Sequence, residues 1–124
     1  MKQMIEIEDI FSSSVKVLFN RLSTTDGLAE WFADSVKQDK NTFTFKWKDS
    51  EQSAELLEIE QNVKIRFQWK DSRDNEYFEF QINTDPLTGD IALLIIDFTD
   101  EDDEDDVVGL WEKQLDKLHR ILGA

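Results

Sequence analysis

The chain of 124 residues carries 14 Lys and Arg against 28 Asp and Glu, a formal net charge of −14, and its length fits one domain spanning residues 1–124. So acidic a surface repels phosphate backbones and anionic headgroups, which argues against nucleic acid or a membrane as partner. Nine Phe and four Trp beside only four Gly and one Pro exclude a disordered chain, and the lack of Cys excludes disulfides, thiolate metal sites and a cysteine nucleophile.

The N-terminal MKQMIEIEDIF interrupts its apolar residues with acids, and no stretch reaches the ~20 apolar residues of a membrane span, so a cytoplasmic location is expected. Within it, MIEIEDI (4–10) alternates as a strand does, with Ile5 and Ile7 inward against Glu6 and Glu8. In SSSVKVLFNRL, Val15, Leu18, Phe19 and Leu22 fall at helical spacing behind serines suited to an N-cap. A second short helix follows in GLAEWFAD (27–34), with Thr24 or Thr25 as N-cap. There Leu28, Trp31 and Phe32 stand at i, i+3 and i+4 and form an apolar knob that the rest of the fold must receive, because so short a helix is unstable alone.

From residue 34 the period switches to two. TFTFKW turns Phe43, Phe45 and Trp47 to one face, VKIRFQWK (63–70) turns Val63, Ile65, Phe67 and Trp69, and EYFEFQI turns Phe78, Phe80 and Ile82. The basic outer face Lys64, Arg66, Lys70 lies beside strands that supply Glu55, Glu58, Glu60, Glu76 and Glu79, so cross-strand ion pairs are expected there rather than an anion site. Short connections rich in Asp, Asn, Ser and Gly (KQDKN, KDSEQ, EQN, KDSRDN, TDPLTGD) imply an antiparallel meander. IALLIIDF (91–98) is apolar on both faces: with Ile91, Leu93 and Ile95 inward, the set Ala92, Leu94, Ile96 and Phe98 needs other cover, and a second copy of the chain, a homodimer through this strand, is expected to provide it.

The last segment, 104–122, is the longest helix, roughly 28 Å at 1.5 Å per residue. Its stripe is Val107, Trp111, Leu115, Leu118 and Leu122, and Gly123 is placed to cap it. The acidic run DEDDEDD (100–106) fails the calcium-loop pattern and is read as favouring the positive end of this helix. The elements amount to an α+β domain: a curved antiparallel sheet of about six or seven strands wrapped around a long C-terminal helix, with two short helices after the first strand.

This order of elements resembles the helix-grip fold of the START-like (SRPBCC) superfamily, which includes polyketide cyclase and Bet v 1 type proteins. GLAEWFAD is similar to the "L…WF" signature of its Aha1 C-terminal-like branch, and LWEKQLDKLHRIL is similar to that branch's last helix. The resemblance implies that Leu28, Trp31 and Phe32 plug the junction between the short helices, the long helix and the open edge of the sheet. It also implies an apolar cavity between the sheet and the terminal helix.

No residue constellation spells out a reaction. His119 is the only histidine and sits at the edge of the helix stripe, where a structural role is expected; no catalytic residues, metal ligands or cofactor are predicted. Gln114 projects from the last helix toward the sheet and needs a partner there, either a strand group or a ligand in the cavity. The primary expectation is a non-enzymatic binding module for a small apolar ligand, its cavity lined by Phe45, Trp47, Phe67, Phe80, Trp111, Gln114 and Leu118. The alternative is an Aha1-like, chaperone-associated protein-interaction domain acting through its surface, and a cyclase or hydratase comes third. Fold alone does not choose among them.

Overall fold

The computed structural model describes residues 2–71 and 76–123. Residues 72–75, in the KDSRDN connection, lie outside the described residues. The chain runs β1 (Lys2–Phe11), α1 (Val15–Ser23), α2 (Thr25–Trp31), β2 (Ser35–Asp39), β3 (Thr42–Trp47), β4 (Ser50–Glu60), β5 (Lys64–Trp69), β6 (Tyr77–Thr84), β7 (Ile91–Asp100), a single 3-10 turn (Glu101–Asp103) and α3 (Glu104–Leu122).

The helix boundaries follow from local chemistry. The Ser14 hydroxyl accepts from the Val17 amide and starts α1, while Thr24 closes α1 and its own hydroxyl accepts from the Gly27 amide to start α2. α3 begins in consecutive acids that favour its positive end and stops at Gly123, whose φ of 71° is the left-handed conformation that glycine adopts without steric cost.

The strands form one antiparallel sheet of seven in the order β1-β7-β6-β5-β4-β3-β2, so the chain closes by laying β7 between β1 and β6. The register settles which residues share a face, since directly opposed residues of an antiparallel pair point the same way. Ile5 faces Asp97, Ile7 faces Ile95 and Phe11 faces Ile91; Phe80 stands between Ile65 and Ile95, and Phe67 opposite Phe78. Of these inward positions, Phe11, Ile65, Phe67, Phe78, Phe80, Ile91 and Ile95 join Leu18, Phe19, Leu22, Leu28, Trp31, Phe32, Trp111, Leu115 and Leu118 in one core. A bulge between Leu56 and Glu58 interrupts the β4-β5 ladder, the kind of irregularity that helps a sheet curl.

The outer face is polar over most strands. Glu79 is only 1% exposed there, because Arg66 Nε donates to its Oε1 at 2.5 Å, Gln81 donates to its Oε2, and the Arg66 guanidinium lies 4.0 Å over the Tyr77 ring. Lys64 pairs with Glu58 at 3.0 Å. Lys64 and Arg66 of the basic stripe are thus spent on neighbouring strands. Val63 lies in the turn before β5 rather than inside the strand.

On β7 the two faces separate by alternation: Ile91, Leu93 and Ile95 are in the core, whereas Ala92, Leu94, Ile96 and Phe98 share the outer face with Met4 and Ile10 of β1. Ile96 is nonetheless buried by its neighbours, and Met4 and Ile10 are the exposed members of the strip.

Candidate functional site

The knob of α2 sits at the centre of an aromatic cluster. The Phe32 ring lies 5.0 Å from Phe45, 5.6 Å from Phe78, 5.7 Å from Trp47 and 5.7 Å from Trp111, so one side chain joins β3, β6 and α3. Leu28 is sealed beside it, and Trp31 is nearly so.

Indole N–H groups tie this junction together. Trp31 Nε1 donates to the Arg21 carbonyl at 2.7 Å, and Trp47 Nε1 donates to the Phe32 carbonyl at 2.8 Å. Both acceptors belong to the last turns of short helices, whose carbonyls have no partner within the helix. Gln114 Nε2 reaches the same Phe32 carbonyl from α3 at 3.0 Å. The amide that had to find a partner near the sheet therefore finds a helix end instead, and it still borders open space.

That space is a cleft of about 620 Å³ between α3 and the near ends of β3, β4 and β5. Its floor is Trp31, Phe32 and Ala33 of the α2 junction; one wall is Trp47, Ser50, Gln52 and Trp69 of the strands; the other is Val107, Leu110, Trp111 and Gln114 of α3. Asp34, Lys113 and Lys117 line its rim and are exposed, and Asp97 reaches it from β7. The Trp47 and Trp69 rings are 6.4 Å apart and only half-buried.

Of the residues expected to line a cavity, Trp47, Trp111 and Gln114 border this cleft, as do Trp31 and Phe32 of the knob. Phe45, Phe67, Phe80 and Leu118 do not: each is completely buried in the core beneath it, which corrects the placement of these four as lining residues. Leu28, expected as part of the junction plug, is also completely buried. Alternation marks a residue as inward, but only strand ends and the line of α3 decide whether it meets the cleft or the packed interior. Trp69 and Asp97 had no place in the expected lining. A signal for Asp97 was available, because the alternation that turns Ile91, Leu93 and Ile95 inward turns residue 97 inward too.

Among the described residues, Asp34 and Asp97 are the acids that line the cleft, and Asp97 is the less exposed of the two. Its Oδ2 accepts from Trp111 Nε1 at 2.9 Å and its Oδ1 from the Phe98 amide at 2.8 Å. Burial holds its carboxyl above the ordinary value of 3.8; the two hydrogen bonds and Lys2 oppose that shift, and Glu76 adds to it. Lys2 itself pairs with Glu76 at 3.3 Å.

His119 lies away from the cleft. Its ring stacks on Phe11 at 4.0 Å and its Nε2 stands 2.8 Å from Asp9 Oδ2, fastening the end of α3 to β1. Among the described residues, no group of three or more His, Cys, Asp or Glu side chains is arranged to hold a metal ion. No helix among the described residues is long and apolar enough to cross a membrane.

A family model described as a START-like superfamily domain matches residues 1–124. The chain belongs to the START-like superfamily. Among solved START-like neighbours, a Bacteroides fragilis protein determined by NMR in solution is 38% identical, with 97% of this chain and 90% of that one covered and a TM-score of 0.67. The Aha1 dimer from Colwellia psychrerythraea is 15% identical, with 97% and 96% covered and a TM-score of 0.83. CalU16 from Micromonospora echinospora is 18% identical, with 98% and 76% covered and a TM-score of 0.78. The curved seven-stranded sheet with its long C-terminal helix is the START-like helix-grip architecture. No curated protein matches the chain in sequence.

Proposed function

We propose that this START-like domain is a binding module whose cleft receives a small, mainly apolar ligand. The observation that carries the reading is the cleft itself: about 620 Å³ of space, within the usual range for ligand sites, walled by the Trp47, Trp69 and Trp111 indoles, with most of its exposed lining surface apolar. A filled interface between α3 and the sheet would have left no such room. Ligand contact is assigned to Trp47, Trp69, Trp111 and Gln114, while Phe45, Phe67, Phe80 and Leu118 act from beneath by keeping those indoles in place.

The test is a titration of the purified protein with an uncharged apolar dye, read by tryptophan fluorescence and by melting temperature. Binding to the native state shifts the emission of the cleft indoles and raises the melting temperature with dye concentration. An unchanged spectrum and melting temperature across the titration would dismiss the binding-module reading.

A second reading, self-association, is favoured by the outer strip of β7 and β1. Ala92, Leu94, Phe98, Met4 and Ile10 form an apolar surface away from the cleft, and the Colwellia psychrerythraea neighbour is described as a dimer. The two readings are compatible, since they use opposite faces of the sheet. Light scattering decides the second: a dimer that dissociates on Leu94→Lys supports it, and a monomer at high concentration removes it.

A further inference from the structure

We propose that the ligand is an apolar cation, a hydrophobic amine whose ammonium group meets Asp97, which lines the cleft beside Trp111. The inference rests on the binding-module reading and adds the ligand's charge to it.

The inner face of β7 runs Ile91, Leu93, Ile95 and then Asp97, which sits opposite Ile5 of β1 and beneath Trp111 of α3. A carboxylate in such a place is costly unless something compensates it. The Trp111 N–H does not account for the charge, because a neutral acceptor suffices for an indole: Trp31 and Trp47 are satisfied by main-chain carbonyls. Among the described residues no Lys or Arg forms an ion pair with Asp97, the nearby Lys2 being paired with Glu76. The two donors that Asp97 receives leave further lone pairs on its oxygens, and the carboxyl borders the cleft.

The other interior groups point the same way. The N–H donors of Trp47 and Trp111 are used inside the protein, and Gln114 already spends one on the Phe32 carbonyl. Beside Asp97, then, a ligand meets a carboxylate and the Trp111 ring, both of which attract a cation, while Ser50, Gln52 and Trp69 belong to the strand wall. Lys113 and Lys117 stand at the rim, exposed to water, where their charge is solvated and screened. A carboxylate-bearing ligand of the same length would have to bring its charge toward Asp97 and lose hydration doing so.

The test uses decylamine, decanol and decanoate below their aggregation concentrations at neutral pH, with affinity read from tryptophan fluorescence. Decylamine is expected to bind about tenfold or more tightly than decanol, with decanoate the weakest, since a desolvated charge-assisted hydrogen bond is worth about that much. Asp97→Asn should reduce the amine's advantage over the alcohol to about twofold or less while leaving decanol binding in place; Asp97→Ser serves if that variant does not fold. Asp34→Asn, which removes an acid from the rim, should keep the advantage, as should raised salt. If decanol binds and decylamine binds no better, or if its advantage survives Asp97→Asn, the charge assignment is overturned while the binding module stands. If none of the three binds, the binding-module reading itself falls.

Discussion

Gln114 of α3 donates to the main-chain carbonyl of Phe32, a hydrogen bond of 3.0 Å that spans 82 residues of sequence. Trp47 Nε1 donates to the same oxygen at 2.8 Å, so the end of α2 is held from the sheet and from the long helix at once. Because either donor alone keeps that carbonyl satisfied, Gln114→Leu and Trp47→Phe should each cost about 1 kcal/mol. The double variant should cost more than their sum, because only then is the oxygen left without a partner. A double-mutant cycle by urea denaturation measures the excess, and simple additivity would show that the two bonds do not share a task.

Two glycines should respond to alanine with opposite signs. At Gly27 a Cβ would lie 2.7 Å from the Arg21 Cα and 2.7 Å from Thr24 Oγ1, with the Asn20 carbonyl also in contact, so α1 and α2 would have to part. Gly27→Ala is expected to destabilise by about 1–3 kcal/mol. Gly109, inside α3, has nothing within 4 Å of the added carbon, and Gly109→Ala should stabilise by about 0.5–1 kcal/mol through helix propensity. Thermal unfolding of both variants provides the comparison; a stable Gly27→Ala protein would contradict the close approach of the two short helices.

Trp111 is buried against Phe32, Phe78 and Phe80 and bonded to Asp97. Trp111→Ala should therefore cost about 3–5 kcal/mol, the usual range for emptying a large aromatic site. Trp111→Phe keeps most of the packing but loses the N–H, and about 1–2 kcal/mol is expected. Equal losses for the two variants would mean that the ring's volume contributes little at that position.

Asp97 gives stability a dependence on pH. Its carboxyl is held above 3.8 in the folded protein, chiefly by burial, so the unfolded chain releases this proton more readily than the native one. The native state is then least disadvantaged by Asp97 below 3.8, and loses ground as pH rises through the folded value. The Trp111 indole, the Phe98 amide, Lys2 and Glu76 are the groups that act on it. The melting temperature of Asp97→Asn relative to the parent should consequently rise between pH 3.5 and pH 7. A difference that stays flat with pH would place the carboxyl in a more polar setting than its burial implies.

Much of this architecture is written in local periodicities. Alternation assigned Phe43, Phe45 and Trp47 to one face of β3, and helical spacing assigned Trp111, Leu115 and Leu118 to one stripe of α3, because the direction of a side chain follows from backbone geometry within a few residues. The caps at Ser14 and Gly123 are equally local. The sequence by itself thus determined most of the elements, their inward faces and the family they belong to; the edge strand β2, whose Lys37–Asp39 fall in the expected connection KQDKN, shows no apolar alternation because nearly all of it is exposed. Depth was decided elsewhere. Phe45 and Trp47 point to the same side only two residues apart, yet one is sealed and the other opens on the cleft, because the strand ends where α3 no longer covers it. The pairing of His119 with Asp9, the sharing of the Phe32 carbonyl and the meeting of Trp111 with Asp97 likewise join residues 110, 82 and 14 positions apart. Such contacts are fixed by where helices and strands cross in space, which no period of two or of 3.6 along the chain encodes.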